Sequence, residues 1–145
     1  MTLPIVKLGL NRPMDIEVTE ITRPFWDGLS QGEFRVARCE ACGRLSFPPR
    51  QVCPACHSRA FDWLPISGRC TLYSVTKIHA SPAIYGILSP MRVAIADLEE
   101  GIRIVTRLLP EGRSPELDSA MELVITEHPD GFHYAARAIP DELSV

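Results

Sequence analysis

A chain of 145 residues holds one domain or two small ones. Hydrophobic residues make up 46% and charged residues 23%, too apolar for a disordered chain, and a net charge of −3 argues against a protein that coats nucleic acid. Thirteen prolines, scattered from Pro4 to Pro140, are nearly double the ~5% average and exclude long helices, and with them a helical bundle.

Residues 1–21 show no period and read as an arm. Its apolar teeth, Leu3, Ile5, Val6, Leu8 and Leu10, suit it to lie on another surface. Pro4 and Gly9 interrupt the apolar stretch too early for a signal segment, and nowhere do 18 apolar residues run together. The expectation is a cytoplasmic protein, in which the five cysteines stay reduced and serve as metal ligands or reactive thiols.

The arm leads into Thr22-Arg23-Pro24-Phe25-Trp26-Asp27-Gly28-Leu29, which predicts a short helix. Thr22 suits its cap, Pro24 its first turn and Gly32 its left-handed stop. Phe25 and Leu29 share a face beside Trp26, an aromatic stripe suited either to the chain's own core or to a partner. Phe25, Trp26 and Leu29 are the candidate partner contacts. Arm and helix together occupy 1–32.

Residues 33–66 contain four of the five cysteines and read as strands and turns. From 67 to 145 the pattern is that of strands, over 69–79, 92–98, 102–109, 120–127 and 132–138. Turn signals at Glu99-Glu100-Gly101 and at His128-Pro129-Asp130-Gly131 join two pairs of them. Within the third strand, Ile102, Ile104, Thr106 and Leu108 oppose Arg103, Val105, Arg107 and Leu109. In the fourth, Met121, Leu123 and Ile125 oppose Glu122, Val124 and Thr126. Five strands without covering helices must close on themselves to hide one apolar face. A mainly β chain ending in a five-stranded OB-fold barrel, its first strand long and bent, is the economical answer, with an SH3-like barrel as the competing topology.

Cys39-Glu40-Ala41-Cys42 and Cys53-Pro54-Ala55-Cys56 are two Cys-x-x-Cys knuckles. A two-residue gap lets one tight turn present both thiolates to a single ion, and two such turns complete the tetrahedron that zinc prefers. Gly43 after the first knuckle and His57 after the second supply residues that tolerate positive φ. A thioredoxin-like redox pair requires one such motif in a βαβ context, and an iron site of the rubredoxin type uses the same ligands. Zinc held by Cys39, Cys42, Cys53 and Cys56 has no open coordination position, so it is structural. Cys70 reads as a small buried hydrophobe. His79 and Tyr85 fall where OB barrels meet ligands. Arg44, Arg50 and Arg59 punctuate the ribbon and can clamp a phosphate, or can be plain surface cations.

The run Pro24-Phe25-Trp26-Asp27-Gly28-Leu29, then Arg38-Cys39-Glu40-Ala41-Cys42-Gly43-Arg44, Phe47-Pro48-Pro49-Arg50 and Val52-Cys53-Pro54-Ala55-Cys56, resembles the zinc-ribbon OB-fold accessory proteins of acyl-CoA metabolism. Ser67-Gly68-Arg69 and Leu98-Glu99-Glu100-Gly101 fit as well, so the likeness extends from about Pro24 to Ala138. It implies an N-terminal helical segment, a rubredoxin-like zinc ribbon and an OB barrel. It also implies a non-catalytic subunit associated with a thiolase-like, acyltransferase, aldolase or hydratase enzyme, helping to hold the acyl-CoA. By their positions in the ribbon and the OB loop, Arg50, His79 and Tyr85 are the candidate ligand contacts. No triad, phosphate loop or open metal motif stands out in the sequence. The alternatives are a nucleic-acid-binding OB and zinc-ribbon module, and a freestanding enzyme or small-ligand binder. Neither a nucleic acid nor a membrane is expected as partner.

Overall fold

The computed structural model describes residues 2–12, 16–78, 91–109 and 115–139. His79 and Tyr85 lie outside the described residues. In chain order the elements are β1 (Ile5–Lys7), α1 (Arg23–Ser30), β2 (Arg35–Cys39), β3 (Leu45–Ser46), β4 (Phe61–Pro65), β5 (Arg69–Ile78), β6 (Met91–Leu98), β7 (Arg103–Arg107), β8 (Ala120–His128) and β9 (Gly131–Ala138). Among the described residues no helix is long and apolar enough to cross a membrane.

Helix α1 ends as predicted. Gly32 takes φ +84°, its N–H donates to the Leu29 carbonyl, and the Glu33 N–H donates to that of Gly28, which is the Schellman pair of bonds. The start differs from expectation. Thr22 occupies the cap position without bonding a helix amide, because its hydroxyl accepts the Thr19 N–H at 3.0 Å instead. The aromatic stripe is also corrected. Phe25 is 2% exposed and Leu29 0%, so these two serve the chain's own core rather than a partner, and Trp26 packs half-buried against the same core. The reason is a ring cluster. Phe25 meets Phe34 at 5.1 Å and Tyr134 at 5.8 Å edge-on, and Phe47 lies 5.1 Å from Phe34, within the range where aromatic pairs attract. Phe34 precedes β2, Phe47 follows β3 and Tyr134 lies on β9, so the cluster joins helix, ribbon and barrel into one contiguous core.

The ribbon is a three-stranded antiparallel sheet in the order β3-β2-β4. The second sheet contains a meander, β5-β6-β7, and a hairpin, β8-β9, with β8 antiparallel to the start of β5. A register shift between Leu72 and Ser74 bends β5, as a bulge does. These are the five strands and the order of an OB fold. The hydrogen-bonded ladder is not closed: β7 and β9 meet through an isolated parallel bridge, Leu108↔Ala136, and through the Arg107 guanidinium donating to the Tyr134 carbonyl at 3.3 Å.

The arm lies on the chain's own sheet. β5 leaves β8 after Arg69↔Glu122, which would strand the later amides of β8. β1 takes the vacated edge in parallel, with Ile5↔Ile125 and Lys7↔Glu127, and Leu3 is buried. This is an edge covered from within. β7 follows the predicted alternation, with Ile104, Thr106 and Leu108 buried and Val105 exposed. β8 does not: Val124 and Thr126 are as buried as Leu123 and Ile125. The chain beyond β1 lies over the Thr126 side. The Leu10 carbonyl accepts from His128 Nδ1 at 2.9 Å, which leaves His128 Nε2 to accept the Thr126 hydroxyl at 2.8 Å.

Candidate functional site

Each knuckle is closed by the turn that the spacing demands. The Gly43 N–H donates to the Cys39 carbonyl and the His57 N–H to the Cys53 carbonyl, both at 2.9 Å. Gly43 takes φ +78° and His57 φ +66°, the left-handed geometry expected at both positions. The four Sγ atoms lie within 4.8 Å of one another, with Cys39 and Cys56 at 3.5 Å and Cys42 and Cys53 at 3.6 Å. A tetrahedron with ~2.3 Å metal–sulfur bonds has edges of about 3.8 Å, so the cage is the right size. The first cysteine of each knuckle, Cys39 and Cys53, is buried, and the second, Cys42 and Cys56, is exposed.

The local electrostatics favour thiolate at the buried pair. The Cys42 N–H pulls the Cys39 thiol down to about 6, with the Ala41 N–H helping, and the Cys56 N–H lowers Cys53 in the same way. At Cys56 the Ser58 N–H acts downward, but the Cys39 sulfur, burial and the other two sulfurs push it up to about 12. Four sulfurs this close cannot all ionise without a cation between them, and a divalent ion removes that conflict. Cys70 is separate. It is buried in the barrel core, where desolvation, assisted by Glu100 and Glu122, raises it to about 12, so it is an inert hydrophobe as expected.

The arginines of the ribbon line two clefts that share Arg50. One, of about 350 Å³, is lined by Ile21, Pro24, Phe61 and Trp63 together with the charged Glu20, Arg50 and Arg59. The other, of about 270 Å³, lies between the β3 region and the β6–β7 turn, and Arg44, Arg50 and Arg103 line it. Trp63, Ser46 and Arg103 join these walls with little signal in the sequence; only the Phe61/Trp63 alternation on β4, which places both rings on one face, points to one of them.

The family profile described as "ChsH2, rubredoxin-like zinc ribbon domain" matches residues 26–62, and that described as "ChsH2, C-terminal OB-fold domain" matches residues 63–126. A DUF35 domain-containing scaffold protein of Methanothermobacter thermautotrophicus is 30% identical over 90 residues, covering 61% of this chain and 68% of that protein. The chain belongs to the ChsH2-type (DUF35) zinc-ribbon and OB-fold family. The benzoylsuccinyl-CoA thiolase subunit BbsA of Thauera aromatica is 34% identical over 88 residues, 61% of this chain and 60% of that one. A DUF35 scaffold protein of Methanocaldococcus jannaschii is 34% identical over 73 residues, 50% and 52% of the two chains. The chain thus spans between half and three fifths of the length of these two relatives. Among solved structures, a chain of the Ltp2-ChsH2(DUF35) aldolase superposes with a TM-score of 0.74 at 26% identity, covering 86% of this chain and 98% of that one. In this ChsH2-type protein the four-cysteine cage fits a structural zinc, and the fold order is helix, ribbon, OB domain.

Proposed function

We propose that the protein is a non-catalytic accessory subunit that docks on a thiolase-like, aldolase or hydratase enzyme acting on acyl-CoA, and that its ribbon helps to hold the thioester through Arg50. The observation that carries this reading is the closed sulfur cage: the four cysteine sulfurs would fill every tetrahedral position of a bound zinc, leaving it no place for water or substrate. The relatives point the same way, being named as a thiolase subunit, a scaffold protein, part of an aldolase and, in Mycobacterium tuberculosis, the alpha subunit of a pregnadiene-carboxyl-CoA hydratase. Of the aromatic stripe, Trp26 is the member left half-buried for a partner to cover. The nucleic-acid alternative needs exposed aromatics interleaved with free cations. Tyr73 is exposed on β5, but the Arg103 guanidinium sits 3.6 Å above its ring and is itself paired with Asp97 at 2.6 Å.

Co-expression with a thiolase-like, aldolase or hydratase enzyme from the same organism tests the reading. The expected result is stoichiometric co-elution and no thiolase, lyase or thioesterase turnover from this chain alone. Robust turnover without a partner, or failure to co-elute, contradicts it.

A further inference from the structure

We propose that the two clefts meeting at Arg50 form one nucleotide site, with the diphosphate in the Arg44/Arg50/Arg103 cleft and the base in the Phe61/Trp63 cleft. This rests on the ligand-holding half of the function proposed above and specifies which part of a nucleotide-bearing thioester the chain binds.

Charge sorts the two halves. The smaller cleft has three arginines and no carboxylate in its wall, a concentration of cations that stands out in a chain of net charge −3. Arg103 is fixed there by Asp97 and by its stack on Tyr73. Arg44 and Arg50 are exposed and have no carboxylate within ion-pairing distance among the described residues. Guanidinium groups free to turn toward a common ligand are the fork that binds phosphate oxygens in pairs. Ser46, only 6% exposed, belongs to the same wall, and its hydroxyl is buried without a hydrogen-bond partner, a polar group still to be satisfied. At the β6–β7 turn Gly101 takes φ +100°, and the space where its Cβ would stand is open.

The larger cleft is chemically different. Phe61 and Trp63 share one face of β4, and the residue opposite Trp63 on β2 is Ala37, small enough to leave room over the indole. Glu20 and Arg59 in this wall offset each other in charge, so beyond the shared Arg50 it has no surplus cation for phosphate and leaves the space to a flat, uncharged ring, for which aromatic and guanidinium planes are stacking platforms. Arg50 stands in both walls, where the sugar joins ring to phosphate.

The experiment is calorimetric titration of the purified, zinc-loaded full chain with ADP and with pyrophosphate at low salt. Both are expected to bind, ADP about tenfold more tightly. Arg50→Gln should weaken both by about tenfold, the scale of one lost charge-assisted pair. Trp63→Leu should weaken ADP alone, and Lys7→Gln, which removes an exposed charge on β1, should change neither. Absence of binding, or equal losses from Arg50→Gln and Lys7→Gln, overturns the site, and equal affinity for ADP and pyrophosphate overturns the placement of the base. Arg50→Gln is also tested for co-elution with the enzyme partner. If co-elution persists while wild-type protein binds neither ligand, only this inference fails. Loss of co-elution by wild-type protein removes the wider reading instead.

Discussion

The strands of the ribbon run to 5, 2 and 5 residues, whereas β5 to β9 run to 10, 8, 5, 9 and 8. Burial divides in the same way. In the barrel, Leu72, Met121, Leu123, Val124 and Ile125 are wholly enclosed, while two of the wholly or nearly enclosed ribbon residues are the cysteines Cys39 and Cys53. A lobe this small cannot bury enough apolar surface to offset its chain entropy. Metal binding, on the order of 10 kcal/mol for a structural zinc, makes up the difference. The barrel needs no such device, since its long strands and inward side chains stabilise it in the ordinary way. The two halves depend on different physics yet share one seam, the ring cluster of Phe25, Phe34, Phe47 and Tyr134.

The seam is where the comparison is most easily broken. Phe34 is fully buried and touches rings from helix, ribbon and barrel. Phe34→Ala should cost about 3–5 kcal/mol and should uncouple the two halves, so that denaturant unfolding splits into two transitions. A single transition at unchanged midpoint would mean that the seam does not join them.

A smaller effect sharpens the barrel side. His133 is 8% exposed on β9, and desolvation, with the Arg107 guanidinium adding to it, lowers its pKa to about 4. The folded state therefore keeps the imidazole neutral, while the unfolded chain protonates near its ordinary 6.5. The unfolded state binds the extra proton, so the contribution is fully present above pH 6.5 and is lost as pH falls toward 4, by about 3 kcal/mol across the window. Equilibrium unfolding at a series of pH values should show this slope, and His133→Gln should flatten it. An unchanged slope in the variant would place the titration elsewhere.

Much of this was legible before any coordinates, wherever a local rule acts alone. Cysteine spacing prescribes the knuckles, and the Gly43 and His57 conformations follow from the turn that the spacing forces. The hairpin turns end at Gly101 and Gly131, which take φ +100° and +145° as turn glycines can. What was illegible depends on partners distant in sequence. β1 is three residues long and exists because β8, more than a hundred residues later, has an open edge. The i, i+4 spacing of Phe25 and Leu29 shows that they share a face, but not that Phe34, Phe47 and Tyr134 would cover it. Val124 and Thr126 alternate as an exposed face would, until the arm is laid over it. The two clefts draw Arg50, Trp63 and Arg103 from separate elements, and no spacing announces such a meeting.

Zinc enclosed by Cys39, Cys42, Cys53 and Cys56 holds the ribbon, while the barrel holds itself. Residue-resolved amide exchange before and after chelation separates the two. The account predicts about one zinc per chain at the start and, once the metal is stripped, loss of protection through β2, β3 and β4 with retention in β5 to β9. Protection that persists in the ribbon without metal, or that vanishes from both halves together, would contradict it.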